Sequence, residues 1–231
     1  MALTAVGSLV TNFGAALSTL AVSPTSRGDC LVLAIQNTVC SAHTPYTSVS
    51  GGGVPATGQP GGWANLVYVC STVAPYSNVE LWFGTIATTG SSTITATASS
   101  HGGSIGLSAQ QFSAGAPATW AGDGSGATLV TSSAATSGNY PSVSPVGSGE
   151  LYLATAEDTG DSFGGSSSGF VYNATAIFVG YGQFVYNLAA STPTAYTPPW
   201  TSGSGLFTGV SGLIVATLVP PASSSGLLSL L

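Results

Sequence analysis

The chain has 231 residues, 44 % of them hydrophobic, with 32 Gly and 13 Pro, but only 3 % are charged, against roughly 25 % in an ordinary soluble domain. Arg27 is the one Lys or Arg, and seven carboxylates set a formal net charge of −6. One Arg cannot neutralise a phosphate backbone, which excludes nucleic acid as a partner, and it cannot supply the polybasic patch that holds an anionic membrane surface.

The remaining surface must be Ser, Thr, Asn, Gly and Tyr. Such a surface lacks the charge that normally keeps proteins apart, so the composition predicts a subunit of an assembly. No stretch reaches ~20 unbroken apolar residues, and no membrane insertion is predicted. The opening MALTAVGSLVTNFGAALSTLAVSP has no positive n-region, and Thr4, Ser8, Thr11, Asn12 and Ser18 interrupt its apolar run. It therefore reads as strand rather than as a signal peptide, with extended runs over 3–10 and 17–22 and a short helical turn as the alternative for 12–20.

Cys30-Leu31-Val32-Leu33-Ala34-Ile35 is apolar on both faces, as a central strand should be. Residues 41–62, with Gly51-Gly52-Gly53, read as a long loop or bulged edge. In 63–70, Leu66, Tyr68 and Cys70 alternate with Val67 and Val69 as a strand. Next, Val79, Leu81 and Phe83 alternate with Glu80, Trp82 and Gly84, a Gly/Ser turn follows at 88–92, and 93–97 alternates again around Ile94. That pattern predicts a hairpin, with Glu80 on its solvated face. Residues 104–112 form another strand, and 113–147 are small and polar, anchored by Trp120 and 128–131.

Gly149-Glu150-Leu151-Tyr152-Leu153-Ala154 echoes Gly28-Asp29-Cys30-Leu31-Val32-Leu33-Ala34. Likewise 211–216 echoes 104–109; the echoes fit either a loose duplication, 25–115 and 145–220, within one domain over 1–231, or simply paired strands of related role, which is the reading favoured. Phe170, Tyr172, Phe178, Tyr181 and Phe184 mark two aromatic strands. The Pro-rich 192–200 cannot be a central strand. Residues 206–218 read as the last strand pair, and Pro220-Pro221 ends it. The tail carries Leu227, Leu228, Leu230 and Leu231, which are predicted to be buried in an assembly contact. About a dozen short strands with Gly/Pro/Ser turns predict an all-β antiparallel β-sandwich, jelly-roll-like, with long Gly/Ser/Pro-rich loops.

The chemistry-bearing residues are few. His43 and His101 lie in Ser/Gly-rich loops without a nucleophile elbow, which argues against a Ser-His-Asp or Cys-His site. Glu80 beside Trp82 is the one hint of glycoside hydrolysis, which needs a second carboxylate. No catalytic residue is assigned. Glu157, Asp158 and Asp161 crowd into Glu157-Asp158-Thr159-Gly160-Asp161, and such oxygen ligands suit Ca²⁺, although the D-x-D-x-D-G spacing is missing. No other cofactor is predicted. Trp82, Trp120 and Trp200 are candidates for a sugar-stacking or protein-docking surface, set against the plainer reading that they anchor the core. Cys30 reads as a small buried apolar residue, and a bridge between Cys40 and Cys70 is left open.

Several of these residues together resemble a known module: Gly28-Asp29-Cys30-Leu31-Val32-Leu33-Ala34, Val49-Ser50-Gly51-Gly52-Gly53-Val54 with Trp63, Val79-Glu80-Leu81-Trp82-Phe83-Gly84, Thr89-Gly90-Ser91-Ser92-Thr93-Ile94-Thr95 and Gln111-Phe112-Ser113. The pattern is similar to a β-sandwich module of virion proteins of tailed bacteriophages, particularly minor tail proteins of phages infecting actinobacteria, and of some bacterial surface proteins. The likeness covers 25–115 and, less clearly, 145–220. It implies a virion protein, structural or adhesive and not enzymatic, at the tail rather than on the capsid surface. Its partners would be other virion proteins, further copies of itself (a trimer is favoured) and a host cell-surface glycan. Capsid decoration and a secreted glycan-active enzyme are the alternatives. The resemblance supplies no active-site residues, and the chain departs from such proteins in its very low charge.

Overall fold

The computed structural model describes residues 1–15, 17–38, 46–71, 76–97, 104–131, 133–160, 162–175 and 181–220. Among them every regular element is a strand. The first part of the chain forms β1 (Thr4–Ala15), β2 (Thr19–Val22), β3 (Cys30–Thr38), β4 (Ser48–Gly51), β5 (Ala64–Cys70), β6 (Ser77–Thr85), β7 (Ser92–Thr97) and β8 (Ser104–Ser113). The second part forms β9 (Ala118–Val130), β10 (Ala135–Asn139), β11 (Ser148–Asp158), β12 (Phe163–Gly164), β13 (Val171–Thr175), β14 (Tyr181–Ser191), β15 (Pro199–Gly205) and β16 (Phe207–Leu218). No helix here is long and apolar enough to cross a membrane.

The strands make two five-stranded antiparallel sheets, β1-β8-β3-β6-β5 and β13-β14-β11-β16-β9, and two three-stranded ones, β2-β7-β4 and β10-β15-β12. The five-stranded sheets face each other through a shared core in which Cys30, Val32, Leu81 and Phe112 meet Leu151, Leu153, Phe184 and Ile214. On its far face the first of them packs Leu33, Ile35 and Leu107 against Leu20, Val49 and Ile94 of the β2-β7-β4 sheet. The second packs Tyr152, Val185 and Phe207 against Tyr140 and Trp200 of the remaining layer. The layers therefore run three, five, five, three. Both middle sheets are covered on both faces, which is why β3 is buried at every position and β11 from Glu150 onward.

Adding eight to each strand number converts the first pair of sheets into the second. The strand-order repeat spans 4–113 and 118–218. GDCLVLAIQNT from Gly28 and GELYLATAEDT from Gly149 occupy β3 and β11 in step, since Cys30 pairs with Phe112 where Leu151 pairs with Ile214. The other sequence echo lies on the equivalent strands β8 and β16 but out of step. Ile105 is opposite Asn37 and Phe207 opposite Asp158, so Ile105 matches Phe207 and not Gly212.

Five expectations are corrected. The hairpin over 79–97 does not form: β6 pairs with β3 and β5, whereas β7 lies in another layer between β2 and β4. The connection is held away from hairpin closure because Ile86 N–H donates to Asp29 O, and Ala87 and Thr88 N–H both donate to Gly53 O. Gly51, Gly52 and Gly53 all have positive φ (78°, 71° and 75°), a run that side-chain-bearing residues rarely adopt. Residues 12–15 continue β1, so no helical turn forms there. The small, polar 113–147 hides a 13-residue strand, β9; Gly122 and Gly126 let it come close to Leu66 and Val67 of β5, where a Cβ would crowd them. Residues 206–218 form one strand, β16, not two; in addition the end of the Pro-rich 192–200 does enter a central strand, since β15 starts at Pro199 and lies between β10 and β12, which a Pro tolerates as the strand's first residue.

Phe112 and Tyr186 meet edge to face across the shared core, with centroids 5.2 Å apart and planes at 77°. Truncating Phe112→Ala should cost about 3–5 kcal/mol. Because the core is shared, chemical denaturation followed by tryptophan fluorescence and by circular dichroism should still show one coincident transition. Two separate transitions, with only one displaced, would mean the halves fold independently.

Candidate functional site

Strand alternation sets Glu80 on the face of β6 that carries Trp82, and the β2-β7-β4 layer covers that face. Glu80 is thus fully buried, not solvated as the hairpin reading required. Its Oε1 accepts from Tyr46 N–H at 2.7 Å and Asn78 Nδ2 at 2.8 Å, and its Oε2 from Trp82 Nε1 at 2.7 Å and Asn65 Nδ2 at 3.3 Å. Desolvation raises its pKa, while the Tyr46, Trp82 and Asn78 donors pull the other way. All four partners are N–H donors and the carboxylate reaches no solvent, so it serves as a buried hub rather than an acid facing a cleft. In the second half, Gln183 takes the same strand position, because Gln36 pairs with Val79 as Glu157 does with Gly182. Gln183 Oε1 accepts from Tyr140 Oη at 3.0 Å.

Glu157 and Asp158 end β11 instead of lying in an acidic turn, and successive strand residues point to opposite faces. Glu157 turns into the interface between the five-stranded sheets and Asp158 turns away. There, Asp158 Oδ1 accepts from Ser202 Oγ at 2.6 Å and from Gly160 N–H at 2.7 Å. The two carboxyls of the expected Ca²⁺ cluster are therefore divided by the sheet, and Asp161 lies outside the described residues. Among the described residues no three His, Cys, Asp or Glu side chains gather in a metal-binding group.

Glu157 has a counterpart at Gln36, and both lie at the seam between the halves, but only Gln36 bonds across it, while neither Glu157 oxygen has a hydrogen-bond partner. Gln36 Nε2 donates to Thr155 Oγ1 at 2.9 Å and Ala156 O at 2.7 Å, while Gln36 Oε1 accepts from Thr175 Oγ1 at 2.7 Å. Near Glu157, Ser77 Oγ and Thr208 Oγ1 are 3.1 Å apart and bridge the same seam. Burial pushes the Glu157 carboxyl up to about 8, opposed by the Ser77 hydroxyl and reinforced by Asp158.

All three candidate tryptophans are interior, so none offers a ring face to a ligand. Trp82 is 4 % exposed and tied to Glu80. Trp120 is 7 % exposed and donates through Nε1 to Gly28 O at 2.8 Å. Trp200 is 1 % exposed and stacks on Phe207 with centroids 4.6 Å apart and planes 6° from parallel. Cys30 is fully buried, and burial raises its thiol pKa. Cys70 Sγ lies 3.6 Å from Asn78 Oδ1. Cys40, His43, His101, Phe178 and Leu227, Leu228, Leu230 and Leu231 lie outside the described residues.

A feature the sequence reading missed is an open cleft of about 420 Å³, lined by Ser167, Phe170, Asn187, Thr194, Tyr196 and Pro198. Hydroxyls, an amide and two aromatic rings converge there without a charged group, which is chemistry suited to a neutral polyhydroxyl ligand. Its sequence signal is spread over three segments, 167–170, 187 and 194–198, and only the fold brings them together.

The Glu157 pKa gives a pH prediction. Its folded-state value lies above the ordinary 4.5, so its stabilisation is complete below about pH 4.5 and is lost as the pH rises through about 8, at about 1.4 kcal/mol per pH unit of displacement. Denaturant unfolding from pH 4.5 to 8.5 should show falling stability, and Glu157→Gln should flatten the slope. An unchanged slope in Glu157→Gln would refute the assignment. Compared with protein-family models, curated proteins and solved structures, the chain matches none of them.

Proposed function

We propose that this chain is a non-enzymatic structural protein of a tailed-phage virion, a minor tail or tail-tip component that works by contact with other virion proteins and with a host-surface glycan. The observation that carries the reading is the long, uncharged edge of β1. Twelve residues long, it pairs among the described residues with β8 alone, contains no charge and no Pro, has the bulge between Val6 and Val10 as its one edge-turning device, and leaves Val10 and Phe13 39 % and 47 % exposed. Free proteins usually blunt such an edge with Lys, Pro or a short strand. For a subunit held in an assembly, the same edge is a contact surface. Beneath the β1 bulge a groove of about 290 Å³, lined by Val6, Val10, Val22, Pro24 and Leu31, adds apolar area beside that edge. The uncharged Phe170–Tyr196 cleft is the place where this reading puts the glycan. Each half is, on this reading, a jelly-roll-like unit, and the whole assembles as a homo-oligomer, a trimer first.

The buried state of Glu80 weighs against the glycoside-hydrolase alternative, because a general acid must touch its substrate. Capsid decoration would use the same edge on a different neighbour. Quantitative mass spectrometry of purified particles, with copies counted against the major capsid protein, decides among them. A small number in multiples of three or six is expected for a tail-tip component. Hundreds of copies would overturn the tail placement in favour of head decoration or the tail tube, and absence from particles would overturn the virion reading altogether.

A further inference from the structure

The repeated strand order allows the two halves to be compared position by position, and one buried acid that both of them keep is compensated differently in each. Asp29 precedes β3 and Glu150 occupies the same place in β11; they are 3 % and 1 % exposed. Next to each, the first strand of the half carries an irregularity in register, between Val6 and Val10 in β1 and at the Gly212/Ile214 step opposite β9. Gly7-Ser8-Leu9, just after Val6, and Asp123-Gly124-Ser125 lie in these bulges, and Gly7 and Gly124 have positive φ, 68° and 88°.

In the first half the acid is compensated by an amide: Gln111 Nε2 donates to Asp29 Oδ2 at 2.7 Å. In the second half Leu213 stands where Gln111 does, since Gln111 and Leu213 immediately precede the equivalent Phe112 and Ile214. Asp123 replaces Val6 on the facing bulge, and its carboxyl lies within hydrogen-bonding reach of Glu150. Glu150 Oε1 accepts from Gly147 N–H at 2.5 Å, with the Val146 N–H also acting on that carboxyl, and Asp123 Oδ1 accepts from Ser125 N–H at 2.6 Å. The other two oxygens, Glu150 Oε2 and Asp123 Oδ2, are buried and have no hydrogen-bond partner. The two carboxyls thus stand beside each other, each with one buried oxygen that no donor reaches, in a chain whose single Arg or Lys is Arg27.

We propose that Glu150 Oε2 and Asp123 Oδ2 are the protein ligands of a Ca²⁺ ion. A hard cation takes carboxylate oxygens directly and completes its shell with water. Asp123 is only partly buried, so it offers both an entry path and a solvent side for those waters. Two carboxylates are a small ligand set that leaves most of the shell to water, which sets the dissociation constant on the order of 10⁻⁴ M; Mg²⁺ is held by such sets too, and Ca²⁺ is preferred because carboxyls already fixed by backbone donors need not meet an ideal octahedron. The ion would join the β9 edge to the start of β11, beside the point where Ser125 Oγ of β9 donates to Ser144 O of the loop entering β11 at 3.2 Å. This site is separate from Glu157 and Asp158 and stands whether or not the virion reading does.

The test is calorimetric titration of the EGTA-stripped full chain with CaCl₂ at pH 7.5, together with thermal unfolding in CaCl₂ or EGTA. One site and a rise in Tm with Ca²⁺ are expected, with affinity reduced at least tenfold in Glu150→Gln and in Asp123→Asn. Both variants remove like-charge repulsion, so they should fold at least as stably as the parent in EGTA, and Glu157→Gln should bind as the parent does. No heat and no shift in Tm would overturn the proposal and leave the pair sharing a proton. Undiminished binding in the Glu150→Gln, Asp123→Asn double variant would overturn it as well, by placing the ion elsewhere.

Discussion

The structure depends on one constraint: the two five-stranded sheets are covered on both faces. A sheet with one wet face can send its polar side chains to water on alternate positions, whereas the central strands of these sheets cannot. Every polar side chain in β3, β6 or β11 must find its partner inside the protein or bear the cost of having none. Glu80 gathers four N–H donors for this reason, and Gln36 spans the seam to reach Thr155, Ala156 and Thr175. Asn37, fully buried with neither amide atom engaged, shows that the constraint is not met everywhere.

The same constraint accounts for the behaviour of the acids. With almost no basic side chains to pair with, the interior carboxyls are compensated by amide and hydroxyl donors or by remaining protonated. The pKa values of Glu80, Glu150, Glu157 and Asp158 are all displaced upward, in each case chiefly by burial. Most proteins lose stability in acid because paired carboxylates must be protonated. Here the four displaced groups push in the opposite direction.

Much of the architecture was legible in the residues. The double-faced apolar run at Cys30–Thr38, its echo from Gly149 and the density of Gly/Pro/Ser turns point to an all-β sandwich, and the chain is one. What stayed hidden depended on partners far away in sequence. Alternation in 79–97 is equally compatible with a hairpin and with two strands in different layers; the backbone bonds to Asp29 and Gly53 decide between them. β9 carries little periodic signal because its glycines are there to admit Leu66 and Val67, a demand set by another strand. Glu80 looked solvated because alternation identifies two faces without saying what covers each. Asp123 and Glu150 are separated by 26 residues of unremarkable loop and strand, and only the comparison of the halves makes the pair conspicuous.

That comparison has a bearing on how the seam tolerates change. In a two-fold homodimer of single halves, any substitution at the shared face would occur twice, and an acid at the Gln36/Glu157 position would put two uncompensated carboxyls into one core. Joining the halves through 114–117 breaks that rule. One side can hold a satisfied amide and the other a carboxyl, and the linker keeps the faces together at a high effective concentration even where complementarity is imperfect. Covalent fusion thus releases the interface from symmetry, and it gives a chain with few charges one place where an ionisable group can be buried singly.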